Sequence, residues 1–232
     1  MKEGKESPTT PEHTPASVNH VTVIDMDRTL IDTDRMVTLM YSAIADVLGD
    51  AVATELRHTE ESQRGASFSV TTGLRTLLEG RGKGSVAMAD ETMSSIKHHM
   101  LKSAKPLGEL SHDNGGLLEP GARELIAAIP RSERFILTYG ESEEWQRWKL
   151  EAAGLGDEPY TILLPSEDAT VEDRDQPKID FLKRHFDANA DMFVFKNIHG
   201  IHEPLHAGTL TMIDDKKKHF ESRSSKDDIV CL

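Results

Sequence analysis

Asp25 and Asp27 end a short apolar run, Val21-Thr22-Val23-Ile24, inside the segment VTVIDMDRTL. Residues i and i+2 of an extended segment share one face, so both carboxylates can reach one small volume. Repulsion at that range is costly unless a cation sits between them or one of them holds a proton. The pattern suggests chemistry more readily than packing, although aspartates also close strands simply as turn formers. Other polar residues follow apolar runs in the same way: Thr138 comes after Phe135-Ile136-Leu137, and Asp214-Asp215 after Leu210–Ile213. Lys178 stands in Gln176-Pro177-Lys178-Ile179-Asp180, just ahead of a helical pattern. Each has a plainer use: Thr138 as a helix cap after Gly140, Lys178 as a solvated lysine with Lys183 as its substitute, and Asp214-Asp215 as a charged surface turn.

The elements that would position these residues are legible as changes of period. Met36, Leu39, Met40, Ile44, Val47 and Leu48 recur at three- and four-residue steps, which predicts an amphipathic helix over 35–48 that stops at Gly49. Helical segments are expected near 51–63, 68–79 and 88–102, the last with Met93, Ile96, Met100 and Leu101 on one face as core packing. Beyond them, strands are expected at 135–138, 160–164, 192–195 and 209–213, and helices at 122–129, 145–155 and 179–186. Strands separated by helices point to an α/β fold with a parallel sheet covered on both faces. The helical block at about 34–112 interrupts that alternation as one insertion between the first and second strands. In such sheets ligands bind beyond the carboxyl ends of the strands, which is where the two aspartate pairs and Thr138 fall.

Composition narrows the class. The 232 residues carry 29% charged and 37% hydrophobic side chains with a net charge of −13. That balance disfavours nucleic-acid backbones and anionic membranes as partners. No apolar run reaches the length needed to span a bilayer. The first 19 residues are polar, contain three prolines and read as a disordered tail rather than a secretory signal. Cys231 is the single cysteine, which excludes an internal disulfide and fits a reducing cytoplasm. The run Gly80-Arg81-Gly82-Lys83-Gly84-Ser85 lacks the Gly-Lys-Ser/Thr order of a phosphate loop and follows a helical pattern, so it reads as an interhelical loop.

Taken in order, DMDRT, the Leu137-Thr138 pair, Lys178 and Ile213-Asp214-Asp215 resemble the four motifs of the haloacid dehalogenase-like hydrolase superfamily, over roughly residues 20–220. The resemblance implies a Rossmann-like α/β core, residues 20–33 and 113–232, with an inserted all-helical (type 1) cap at 34–112. It implies Asp25 as the nucleophile that forms an aspartyl-phosphate and Asp27 as the acid and base. Thr138 and Lys178 would hold the phosphoryl oxygens. A Mg²⁺ cofactor would be bound by Asp25, Asp214, Asp215 and the Asp27 backbone carbonyl. The implied activity is hydrolysis of a small phosphorylated metabolite, a phosphomonoester. A sugar phosphomutase, or a binding or regulatory protein that has lost turnover, are the alternatives. Hinges are expected near 31–35 and 110–118, and Arg64, Arg75, Lys97 and His98 are candidate cap residues.

Two features depart from that pattern. Arg28 stands where relatives usually carry glycine, and either narrows the loop, contacts substrate or points to solvent. The stretch after Asp215 is short, with Ile229–Leu232 a possible last strand. His199, His202 and His206 have metal-ligand chemistry, but the glycine and proline among them make a loop the better reading than a zinc site.

Overall fold

Strand β1 (Ser17–Ile24) becomes fully buried over its last four residues. Its side chains alternate between two apolar clusters: Val21 and Val23 face one side of the sheet and Ile24 the other. Strand β2 (Arg134–Tyr139) divides likewise, with Phe135 and Leu137 on the first face and Ile136 on the second. The computed structural model describes residues 17–62, 70–80, 86–103, 116–140, 142–164 and 176–220. The tail before Ser17, Arg64, the glycine-rich loop at 81–85, the hinge residues 110–115 and the end after residue 220, with Cys231, lie outside the described residues. Ser17–Asn19, expected as tail, belong to β1.

Four helices follow β1: α1 (Thr33–Leu48), α2 (Asp50–Ser62), α3 (Val70–Gly80) and α4 (Val86–Ser103). Asp32 caps α1 by accepting from the Arg35 N–H at 2.9 Å, as short polar side chains do at helix starts. The apolar cluster on the Ile24 face runs on through Leu30 and Met36 to Leu56, Leu74 and Ile96, so the helical block shares one core with that face of the sheet. Then come α5 (Ala122–Ala128), β2, α6 (Glu143–Ala152), β3 (Tyr160–Leu163) and α7 (Lys178–Arg184). The chain continues through β4 (Phe186–Asp187), β5 (Met192–Phe195) and β6 (Leu205–Ile213). Among the described residues no helix is long and apolar enough to cross a membrane.

The strand order is β3-β2-β1-β6-β5-β4. The four strands from β3 to β6 are parallel, but β5 is antiparallel to β6 and β4 to β5. The expected parallel sheet is therefore present over β3, β2, β1 and β6, and the other edge is antiparallel. The reason is connection length: residues 196–204 join β5 to β6 without a helix, and a parallel crossover needs a dozen residues or more. Phe186, expected at a helix end, lies instead in the edge strand β4.

Candidate active site

Ile24 lies opposite both Ile136 of β2 and Ile213 of β6 in parallel register. The three strands therefore end at one edge, and Asp25, Thr138 and Asp214 emerge there together. The Asp25 N–H donates to the Ile213 carbonyl at 2.8 Å, which continues the β1–β6 pairing into the first aspartate. Asp25, Asp214 and Asp215 each present a carboxylate oxygen, all within 4.8 Å of one another. Residues nearly 200 positions apart thus share one acidic site.

Lys178, the first residue of α7, is 2% exposed. Its Nζ donates to Asp25 and, at 2.7 Å, to Asp214 Oδ2. Lys183, the alternative lysine, lies in the last turn of α7. The Thr29 hydroxyl donates to Asp25 Oδ2 at 3.1 Å, and the Lys216 N–H donates to Asp214 Oδ1 at 2.8 Å. Burial raises the Asp25 carboxyl above the ordinary aspartate range; Lys178 opposes that rise, and Asp214 and Asp27 add to it. Lys178 pairs with both Asp25 and Asp214, so three ionised carboxylates crowd round this ammonium and repel one another. The donors are all hard oxygens, and Asp215 is exposed at the mouth. That set suits Mg²⁺, which takes a few carboxylates and keeps several waters.

The Asp27 side chain does not join the cluster. Its two oxygens accept from Lys149 Nζ at 2.6 and 2.7 Å, and Oδ1 also accepts from the Thr33 hydroxyl at 2.9 Å. Neither Lys149 nor Thr33 is singled out by sequence reasoning. A signal for Lys149 exists, because it falls at helical spacing on the same stripe as Trp145, Trp148 and Ala152. Burial pushes its ammonium below the usual lysine range, and Asp27 opposes the fall.

Thr138 is 1% exposed and its hydroxyl donates to the Tyr139 carbonyl at 3.3 Å. Among the described residues no hydrogen bond joins it to the aspartates. It is not the cap of α6 either, since Ser142 accepts there from the Trp145 N–H at 3.3 Å. Arg28 adopts φ +65°, a left-handed conformation that favours glycine. Its side chain is half exposed and pairs with Asp34 at 2.9 Å.

Among the described residues, His199, His202 and His206 form no group that could hold a metal ion. His206 lies in β6, with Nδ1 3.4 Å from Met192 Sδ, and the His199 ring packs 4.2 Å from that of Tyr160. In the helical block, Lys97 of α4 reaches Glu144 of α6 at 2.7 Å, Arg75 pairs with Asp90 at 3.4 Å, and His98 sits edge-on to His99.

No protein-family model and no curated protein matches the sequence. Among solved structures the chain is similar to a protein described as a haloacid dehalogenase-like hydrolase from Burkholderia xenovorans LB400, at 18% identity and a TM-score of 0.43, covering 62% of this chain and 61% of that one. It is similar also to the HAD-hydrolase YfnB from Bacillus subtilis, described as bound to magnesium, at 16% identity and TM-score 0.36 over 59% and 60% of the two chains. A haloacid dehalogenase-like family hydrolase from Xanthomonas campestris follows at 16% and 0.35, over 63% and 62%. The chain spans about three fifths of the length of each. The likeness is distant, and the carboxylate and lysine geometry is this chain's own.

Proposed function

We propose that the chain is a haloacid dehalogenase-like hydrolase acting as a Mg²⁺-dependent phosphohydrolase on small organic phosphomonoesters. The observation that carries this reading is the buried Asp25 at a strand end, held by Lys178, with Asp214 and Asp215 within 4.8 Å. In this reading an Asp25 oxygen attacks phosphorus while the ester P–O bond breaks. The electron pair stays on the leaving oxygen, which takes a proton from Asp27. Asp27 then accepts a proton from water as the water oxygen bonds to phosphorus, and the Asp25–phosphorus bond breaks to return the carboxylate. Dividing one hard displacement into two is the advantage of a covalent nucleophile. Lys178 places positive charge where the phosphoryl oxygens gather charge, and Thr138 offers them a hydroxyl. Asp25, Asp214, Asp215 and the Asp27 carbonyl would hold Mg²⁺, which would supply positive charge to offset the repulsion between carboxylates and phosphate. In this reading the helical block α1–α4 is the cap, whose role is to exclude water and read the leaving group.

The test is a screen of phosphomonoesters with and without Mg²⁺, comparing wild type with Asp25→Asn. Turnover is expected to fall by more than about 1,000-fold in the variant and to be lost on chelation and restored by Mg²⁺. Unchanged turnover in Asp25→Asn removes the nucleophile assignment. Transfer between sugar phosphates with little free phosphate marks a mutase instead, and no turnover in wild type marks a binding protein.

A further inference from the structure

We propose that Lys149 is a positioning residue for this chemistry: with Thr33 it fixes the Asp27 carboxylate in one orientation, apart from the acidic cluster around Asp25. The inference rests on the phosphohydrolase reading and adds a residue to its machinery.

Three elements meet at Asp27. The aspartate follows β1, Thr33 is the first residue of α1, and Lys149 comes from α6, more than 100 residues further along the chain. Oδ1 accepts from both Lys149 and Thr33, whereas Oδ2 accepts from Lys149. Oδ2 is therefore the less occupied oxygen, with a lone pair left for a leaving group or a water. Asp27 keeps 25% of its side chain exposed, while Lys149 keeps 6%. The pair is thus anchored from the protein side and open on the other.

Stability does not account for a lysine at this place. It sits on the apolar stripe of α6, its ammonium is desolvated, and an apolar side chain of similar volume in place of a buried ion pair is often neutral or stabilising. What an apolar residue cannot do is hold a carboxylate by two hydrogen bonds. A proton donor and acceptor must lie within hydrogen-bond reach of the reacting oxygen, and displacement by about 1 Å costs on the order of 100-fold. An aspartate on a turn has free χ angles; three hydrogen bonds from two side chains, one on α1 and one on α6, remove that freedom before substrate arrives.

The experiment compares Lys149→Met, Lys149→Arg and Thr33→Val with wild type on two esters, a simple alkyl phosphate and p-nitrophenyl phosphate, both with Mg²⁺. The alkoxide needs a proton to leave and nitrophenolate does not. For Lys149→Met, kcat/KM on the alkyl ester is expected to fall by about 100-fold, carried by kcat. On p-nitrophenyl phosphate the fall in kcat/KM is expected to stay within about threefold, and Lys149→Arg to recover part of the alkyl-ester loss. Equal losses on the two esters, a change confined to KM, or no change overturn the proposal while leaving the hydrolase reading in place. Wild type inactive on every phosphomonoester overturns both. Thermal unfolding checks that the variants fold. If Lys149→Met does not, Thr33→Val decides, by a loss on the alkyl ester that exceeds its loss on the aryl ester or by equal losses.

Discussion

At Arg28 the backbone and the side chain pull in different directions. A residue with a Cβ at φ +65° carries a penalty of about 1–2 kcal/mol. Its compensation is a pair with Asp34 in which both side chains are more than half exposed, and such pairs contribute about 0–1 kcal/mol. Glycine would relieve the strain but give the unfolded chain more freedom, at about 0.5–1 kcal/mol. Arg28→Gly is therefore expected to be stabilising by about 0.5 kcal/mol, read as a small rise in the urea midpoint. A loss above 1 kcal/mol would mean that the guanidinium contributes more than an exposed pair can. The same loop shows how far single residues could be read in advance. Asp25, Asp214, Asp215 and Lys178 were legible because each follows an apolar run at a strand end or opens a helix, and topology brings such positions together. Lys149 was not, because a lysine inside a charged helix normally reads as solvated; only its place on the tryptophan stripe, a tertiary fact expressed weakly in sequence, marks it as buried.

Helix α6 delivers Lys149 to Asp27, and its seating depends on the turn that leaves β2. A Cβ added at Gly140 would come 2.4 Å from Cγ of Gln146, a buried side chain on α6. That atom is not the free end of the side chain, and Gln146 is buried, so Gly140→Ala forces a costly change of the Gln146 rotamer or a shift of α6 or of the backbone after Thr138. The expected cost is about 1–3 kcal/mol, as for overpacking elsewhere, seen in thermal or urea unfolding. Activity should fall further than stability does, because Lys149 and Thr138 sit on either side of the turn. A variant as stable and active as wild type would show that the turn gives way freely. Most elements were foreseeable from apolar periodicity, since α1 to α7 and the central strands bury one face or both. The antiparallel edge was not. The pattern of β5 looks like that of a buried parallel strand, and its direction is decided by the short, helix-free stretch at 196–204, whose pairing of His199 with Tyr160 is non-local. Gly200 at φ +76° allows that path.

Over the whole molecule, acid should act through groups of opposite sign. His219 is buried beside Tyr139, its Nδ1 has no hydrogen-bond partner, and desolvation, then Lys178, lowers its pKa to about 4. The unfolded chain, with an ordinary histidine near 6.5, binds a proton more readily than the folded one across that interval. Folding stability from this group is thus complete above about pH 6.5, and is lost as pH falls towards about 4. Asp25 runs the other way: burial raises its folded pKa above the unfolded value, so the folded state takes up its proton first and the cost of the buried charge is relieved in acid. The contribution of His219 can be isolated. His219→Phe keeps an aromatic ring against Tyr139 and removes the proton. The stability difference between wild type and this variant, from urea unfolding, is expected to be flat above pH 6.5 and to shift steadily against wild type down to about pH 4. A difference that stays constant over that range would mean that His219 titrates normally. The enclosure of the 3₁₀ turn Lys217–Phe220 against the start of α7, which holds Lys178 at the aspartates, would then be looser than the structure has it.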